Sequence, residues 1–548
     1  MAGRRLSAMR DILLTMRHGP LRRAAALAAA RRGVTALIFA VSATAVLGFV
    51  GLGTEVGTWY LARAQASNVA DAAAIAGALA AYSGADAGGV EAAANDAVVL
   101  ASLNGYSYNP LSVTANYNPP SATYAANATA TQVQISVPFA SVLASLFSNQ
   151  PVTVAATAVG LVGPTNYPAC ALSLTGPLII TQAQNGSNFA GPCYYASNYA
   201  GTGAGSTSEA VIVSNGATIA AYGITTAGDC ASTCPNVPPL TGGGQYSLLR
   251  PYASYQPPTT NPFAAIDTLS LPASSAGITC IVPAGQSAGC RPSATAVSIQ
   301  AGSSLVPSTG DNGVTCTPTT GPCAYYNMNI TIGSGATLTP GTYFFVKSSL
   351  TIQGGTVKCI ISARQPSPCD NADGSPSNPG ASPGTAGVTL VFTGSPAGGL
   401  TICGKAVTAS CPLGTGATVL LSAPAANSVS PSLDGILFYR AGPTLPNPPS
   451  DSSSAPAVSI ADSIGNTLLN GGMYFPNAYT WYAANIGTDP DCSILLAGYL
   501  NLGYLNAGDV PSRPPNAQYP GPATTQFGAA CAAYATPLPS VQAVQVVQ

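Results

Sequence analysis

The side chains that usually carry out catalysis are scarce in this sequence of 548 residues, of which 6% are charged. The single histidine, His18, precedes the first long apolar run. A histidine-based catalytic or metal site is therefore excluded from everything that follows that run. The glycine-rich phosphate-binding motif GxxxxGK[ST] is also missing. The sequence thus predicts no cofactor and no resident metal.

Two close pairs of aspartates are the remaining candidates for acid and base chemistry. Asp489 and Asp491 lie in GTDPDC, and Asp370 and Asp373 lie in CDNADG. A general acid and a general base must converge on one substrate, yet both pairs occupy loop-like stretches without nearby Arg or Lys clusters to hold an acidic sugar. We interpret them as solvated turn residues and predict a non-enzymatic protein. A calcium site at Asp489 and Asp491 is the weaker alternative.

The 14 cysteines all follow position 169 and fall along the chain in close pairs. An even number confined to one part of a chain predicts disulfides formed in an oxidising compartment. Spacing alone does not determine connectivity, and pairing of neighbours is the hypothesis. Zinc is the alternative, but a second CxxC motif and a nearby histidine are both missing. The neighbouring cysteines are Cys170 and Cys193, Cys230 and Cys234, Cys280 and Cys290, Cys316 and Cys323, Cys359 and Cys369, Cys403 and Cys411, and Cys492 and Cys531.

A membrane span is the element expected to place these cysteines. The stretch from Gly33 to Gly53 is uncharged and about 20 residues long, enough for a helix to cross about 30 Å of hydrocarbon. Eight arginines precede it, which predicts a cytoplasmic N-terminus. A cleaved signal peptide is the alternative, although the run is too long and starts too late for one. Only nine of the 17 basic residues follow Gly53, so no nucleic-acid partner is expected.

Helix-forming residues continue without proline from Thr54 to about Tyr82. They predict one helix that starts in the bilayer and extends beyond it. Small residues recur along it at a spacing of four, and such rows let helices approach closely, which predicts packing against other membrane helices. The good helix propensity of alanine is the alternative explanation. The small residues are Gly53 with Gly57 and Ala73 with Gly77.

Three charged residues, Glu55, Arg63 and Asp71, are spaced along this extended helix. An acid at the end of a span costs a few kcal/mol unless it is near water or paired. We therefore expect these three side chains to face water or to pair with a neighbour.

The order of motifs in this region resembles that of a known family. An RRG motif, an apolar span, GLG, an acid, VG, an aromatic pair, ARAQ and NVADAAA follow one another from Arg31 to about Ala81. This pattern resembles the N-terminal segment of TadE/TadG-like proteins of tight-adherence (Flp) pilus assembly, with Glu55 where the resemblance leads us to expect Asp. The resemblance implies an inner-membrane protein with most of its mass in the periplasm. It also implies a role in assembling or anchoring a pilus with other pilus-assembly membrane proteins.

The rest of the chain is expected to be mainly β. Apolar runs of about three to six residues are separated by Gly and Asn turns, and several recur roughly 20 residues apart. This spacing predicts the stacked coils of a β-solenoid, with a flat sandwich as the alternative. Phrases such as ATLTPGTYFFVKSSLTIQGG resemble coils of right-handed β-helix proteins. The predicted segments are a basic cytoplasmic arm at 1–32, the span and its extension at 33–82, a small α+β neck at 83–163 and a disulfide-clipped solenoid at 164–548. In the neck, LSVTANYN and TQVQISVPFA alternate like strands, VLASLFS indicates a short helix and PVTVAATAVGLV indicates a closing strand.

A second function follows from one aromatic cluster. Tyr479 and Tyr482 flank Trp481 in AYTWYAAN. If exposed, these rings could stack on sugars, and the protein would be an anchored adhesin or glycan-binding module. Packing of the same rings inside a coil is the alternative. The expected partners are thus the lipid bilayer, other pilus-assembly membrane proteins and, in the second case, a surface glycan.

Overall fold

The fold is mainly β with one long N-terminal helix, as predicted, and it also contains a short second helix at a place where the sequence analysis predicted none. The computed structural model divides the chain into two compact units. The N-terminal unit is Met1–Leu161 with Gln545–Gln548, and the β unit is Val162–Val544. The residues that the structure describes are 5–103, 113–117, 129–139, 152–181, 188–190, 193–201, 209–213, 218–221, 223–229, 246–248, 253–272, 296–299, 304–305, 309–310, 324–333, 336–338, 340–359, 387–395, 397–403, 417–441, 456–461, 468–483, 492–503, Cys531 and 536–547.

Two helices begin the N-terminal unit. Helix α1 (Arg5–Tyr82) already includes most of the predicted basic arm, and α2 is Ala87–Leu103. Gly84, with a positive φ of 86°, follows the end of α1, in the left-handed conformation that commonly terminates helices. The Asp86 carboxylate accepts a hydrogen bond from the Gly89 amide at 2.9 Å and so caps the start of α2. These local signals set the turn between the helices.

An antiparallel sheet completes this unit. Its strands are β1 (Val113–Tyr117), β2 (Thr131–Phe139) and the first part of β3 (Val152–Ser173). Alternation in the sequence predicted β1 and β2, and the closing strand predicted in PVTVAATAVGLV corresponds to the start of β3. The helix predicted in VLASLFS lies outside the described residues. The core joins small residues of α1 to apolar residues of α2, β2 and β3, because alanine lets the helix lie close to them. Its buried members are Ala66, Val69, Ala70, Ala73, Ala74, Ala94, Val98, Val133, Ile135, Ala156 and Ala158.

The later part of the chain consists of short strands. In chain order they are β4 (Leu178–Thr181), β5 (Asn188–Ala190), β6 (Tyr194–Ser197), β7 (Val211–Val213), β8 (Thr218–Ala221), β9 (Gly223–Thr226), β10 (Tyr246–Leu248), β11 (Ala296–Ile299), β12 (Ser304–Leu305), β13 (Thr309–Gly310), β14 (Tyr325–Tyr326), β15 (Asn329–Ile332), β16 (Thr337–Leu338), β17 (Gly341–Val346), β18 (Ser349–Ile352), β19 (Gly355–Cys359), β20 (Val388–Thr393), β21 (Leu400–Ile402), β22 (Ala417–Ser422), β23 (Ile436–Arg440), β24 (Val458–Ala461), β25 (Leu468–Ala483), β26 (Ser493–Gly503) and β27 (Ser540–Val547).

Most of these strands pair in parallel and form ladders. The first ladder runs β17, β20, β23, β25, β26, β3, β6 and β9. The second runs β11, β15, β18, β21, β24, β25, β26, β4 and β7. A third joins β12, β16, β19, β22 and β25, and β5, β8 and β10 pair separately. Consecutive strands therefore enter different ladders, and each short strand is stabilised by its neighbours in the stack.

Aligned aromatic rings fill the core of the first ladder. Tyr325 stacks on Phe345 with ring centroids 5.4 Å apart, and Phe345 stacks on Phe392 at 4.9 Å. Asn327 and Lys347, both with a φ of 53°, follow β14 and β17 and turn the chain towards the second ladder. The repeated residue with positive φ keeps each aromatic ring in register with the ring of the neighbouring strand. Such buried aromatic pairs stabilise the fold by more than their buried area alone.

The described disulfides lie in the β unit. Cys170 is joined to Cys193, and Cys492 to Cys531, the partners that neighbour pairing assigned to them. Cys403 is also disulfide-bonded. The side chains of the other nine cysteines lie outside the part of the chain that the structure describes.

Candidate membrane anchor and interaction surfaces

The anchor candidate is the exposed apolar part of α1. Among the described residues, one helix is long and apolar enough to cross a membrane, Ala36–Tyr82, whose 47 residues span about 70 Å. Most large apolar side chains of α1 from Val34 to Leu61 are exposed, with Phe49 and Tyr60 each at 78%, whereas Trp59 is half-buried. Exposed apolar surface on this scale indicates a membrane or another apolar partner.

The hydroxyl groups in this stretch are satisfied within the helix. Thr44 donates to the Ala40 carbonyl at 2.8 Å, and Thr54 donates to the Val50 carbonyl at 3.1 Å. A polar group in hydrocarbon is costly without a partner. Bonds to the preceding helical turn therefore make this stretch compatible with lipid despite its Ser and Thr content.

The two small-residue pairs lie in different surroundings. At Gly53 and Gly57, an added Cβ would meet no described atom within 4 Å. Ala73 is fully buried, and a Cβ on Gly77 would stand 2.6 Å from Cγ2 of Thr131 in β2. The second pair is thus used for packing inside the N-terminal unit, whereas the first pair is left open.

The three charged positions of the helix differ in exposure. Arg63 is exposed, and Asp71 is half-buried. Glu55 is only 9% exposed, so its side chain does not face open water. This acid lies at the border between the apolar stretch and the part of α1 that belongs to the core.

The proposed sugar-stacking aromatics are mostly inside the fold. Tyr479 is 7% exposed and Tyr482 is 1% exposed, and Trp481 is half-buried. Tyr479 stacks on Tyr499 of the next strand at 6.4 Å. Packing within the ladder, the alternative interpretation of AYTWYAAN, therefore accounts for both tyrosines. These two rings are not available to stack on a glycan.

A segment that the sequence did not single out crosses the outside of the first ladder. Residues 253–272, here named the strap, include a short 3-10 helix, Ala264–Thr268. Phe263 and Ile266 of the strap are each 1% exposed. A Cβ on Gly472 would stand 2.7 Å from Phe263 Cζ, so this glycine admits the ring. Every residue of β17, β20 and β23 is buried, and the strap contacts the last two of these strands, where Thr393 of β20 donates to the Pro272 carbonyl and Tyr439 of β23 contacts Asp267.

One carboxylate fastens the strap to the ladder. The Tyr474 hydroxyl donates to Asp267 Oδ2 at 2.5 Å, and the Tyr439 hydroxyl donates to Asp267 Oδ1 at 3.1 Å. Asn261 Nδ2 donates to the Tyr474 hydroxyl at 2.9 Å. Burial, reinforced by Asp267, raises the pKa of both phenols well above the ordinary value of 10. In the sequence, the spacing of Phe263, Ile266 and Asp267 in NPFAAIDT was the available signal of a short segment with a buried side. The segment is too short to indicate which strands it packs against.

The remaining site candidates cannot be compared with the structure. Asp370, Asp373, Asp489 and Asp491 lie outside the described residues, as does the side chain of His18. Within the described part of the chain, no group of three or more His, Cys, Asp or Glu side chains is arranged to hold a metal ion.

These features define a mainly β protein whose one long N-terminal helix contains a candidate membrane-spanning stretch. Residues 33–87 match the model of the Flp pilus-assembly TadE/G-like family. The match confirms the resemblance found in Arg31 to Ala81, and its 55 residues cover the exposed stretch of α1 and its buried continuation. The family assignment therefore concerns the N-terminal region of the 548-residue chain. No curated protein and no solved structure matches the chain.

Proposed function

We propose that this chain is a non-enzymatic, membrane-anchored component of Flp/Tad-type pilus assembly or anchoring. The observation that carries the proposal is the family match at residues 33–87, which coincides with the candidate span and the start of the N-terminal core. The β unit would serve protein interaction. Its architecture is proposed to be a right-handed β-helix, which the parallel ladders support through their order and register.

The proposed orientation places the N-terminus in the cytoplasm, Gly33–Gly53 in the inner membrane and everything after Gly53 in the periplasm. The arginine-rich arm supports it through the positive-inside rule. Disulfides at Cys170 and Cys492 support it because such bonds persist in oxidising compartments.

The open pair Gly53 and Gly57 is the proposed contact with helices of other pilus-assembly membrane proteins. Neither glycine has a described neighbour that a side chain would displace, so the chain itself does not require glycine there for packing. A small-xxx-small pair lets two helix backbones approach closely in lipid, where dispersion and weak hydrogen bonds drive association.

Substitution by leucine tests this contact. In Gly53→Leu/Gly57→Leu, bulky side chains should separate the helices and abolish co-purification with the other pilus-assembly membrane proteins and formation of surface pili. Gly48→Leu is the matched control, since it has no described neighbour within 4 Å and lies roughly 140–180° around the helix from the pair. Membrane insertion should be unchanged in both variants. Co-purification and piliation at wild-type levels in the double variant would contradict the proposed contact.

A further inference from the structure

The strand order of the first ladder places the earliest strands of the β unit after the latest. The ladder continues from β25 and β26 directly into β3, β6 and β9. We name residues 169–226 the early block, residues 324–503 the late block, and the place where β3 and β4 meet β26 the seam. The Ser173 hydroxyl and the Gly498 carbonyl, which it approaches at 3.3 Å, are 325 positions apart. The seam is thus far more non-local than the pairings within either block.

The carbonyl of Gly498 is the centre of the seam. It accepts hydrogen bonds from the amides of Thr175 at 3.0 Å and Gly176 at 2.8 Å, and from the Thr175 hydroxyl at 3.1 Å. On both sides the ladder pairs are apolar and buried, as at Leu172 with Leu496. The early block therefore has a buried edge that β26 covers.

One glycine makes the approach of the two blocks possible. A Cβ on Gly176 would stand 2.1 Å from Cδ1 of Tyr499. Tyr499 is 4% exposed, and its ring stacks on the ring of Tyr479. Any side chain at position 176 would therefore have to displace a buried ring of the late block.

The strap holds both blocks from the outside. Asn198 of the early block donates to the Thr259 carbonyl at 2.8 Å and accepts from the Thr259 amide at 2.7 Å. Farther along the strap, Asp267 accepts from Tyr439 and Tyr474 of the late block. The strap thus carries the chain from one end of the stack back past the seam.

We propose that the β unit folds as two blocks that close last at the seam, once β26 is present to cover the edge of the early block. The entropic cost of closing a loop rises with its length, and contacts between distant residues form late. In a chain made and exported from its N-terminus, β3 and β4 precede their partner strand by more than 300 residues. The seam is a conformational joint: it is the last contact to form and the first to open.

Hydrogen exchange of the full chain in detergent micelles, followed by mass spectrometry, tests this joint. In Gly176→Val, the amides of residues 174–176, 178 and 495–500 should exchange about tenfold faster or more, while β20 keeps its wild-type protection. The matched control is Gly223→Val, because a Cβ there would stand 2.6 Å from Cε1 of Tyr194, a glycine-to-ring contact inside the early block. This control should expose β6 and β9 and leave the seam amides protected.

The wild-type chain provides a measurement that does not depend on a variant folding. With increasing urea, the seam amides should open at lower concentration than those of β20 and β23. Opening of the seam and of β20 in one transition would overturn the two-block proposal. So would equal loss of seam protection in both variants, or an unchanged seam in Gly176→Val.

Discussion

Replacing Gly160 by alanine should destabilise the N-terminal unit, because β3 passes very close to helix α1 there. An added Cβ would stand 2.2 Å from the Ala74 carbonyl oxygen and 2.5 Å from its carbon, whereas ordinary contacts begin at 3.4 Å. The two backbones would have to separate by about 1 Å, and main-chain atoms cannot rotate away as a side chain can.

The expected cost lies toward the upper end of the overpacking range, about 2–3 kcal/mol. That corresponds to roughly 30- to 150-fold faster exchange of the amides of β2 and β3 that open with this unit. Hydrogen exchange of the full chain in micelles measures it, with β20 as the internal reference. Gly88→Ala is the matched control in α2, where the nearest atom, Asp86 Oδ1, is 3.6 Å from the added Cβ.

The control should be neutral or stabilising by up to about 1 kcal/mol, because alanine favours the helix. Protection of β2 and β3 that is the same in Gly160→Ala and Gly88→Ala would refute the close approach of β3 to α1.

The phenols at the strap give two further predictions. The pKa values of Tyr439 and Tyr474 are raised in the folded chain, so the folded state keeps protons that the unfolded state loses above pH 10. Stability should therefore be constant with respect to these groups below pH 10 and fall above it, by at most about 1.4 kcal/mol per pH unit for each; a urea midpoint independent of pH from 9 to 11 would contradict this. In Asp267→Ala, two buried phenols lose their acceptor, which should cost about 1–3 kcal/mol and bring tyrosine ionisation, followed by absorbance at 295 nm, to lower pH. In the isosteric Asp267→Asn, the stability and the tyrosine titration should lie between those of the wild-type chain and of Asp267→Ala. An unchanged titration in both variants would show that the carboxylate does not act on the phenols.

Local pattern was sufficient to predict the main elements. A run of helix formers without proline gave the end of α1 at Tyr82, and strict alternation gave β1 and β2, because both depend on neighbours within a few residues. The short apolar runs indicated strands that need stacking neighbours, and the parallel ladders provide them. Arginine content and an uncharged run similarly indicated the candidate span.

Partners distant in sequence could not be predicted. Nothing in the sequence around Gly77 indicates that it contacts Thr131, because its spacing from Ala73 equally fits a surface for other helices. The sequence around Tyr479 fits a buried ring and an exposed ring equally well. The ring is buried because it stacks on Tyr499, which is distant from the local pattern. The seam and the strap depend on contacts across 61 to 325 positions, which neither periodicity nor spacing encodes.

The proposed function depends on a bilayer that separates the arginine-rich arm from everything after Gly53. It is tested most directly in spheroplasts with an intact inner membrane, treated with a maleimide that cannot cross it, with and without a reductant that also stays outside. The proposed orientation predicts that the cysteines are labelled only after reduction, and without lysis. Labelling that needs lysis but no reductant would contradict it, because the thiols would then be reduced and enclosed in the cytoplasm.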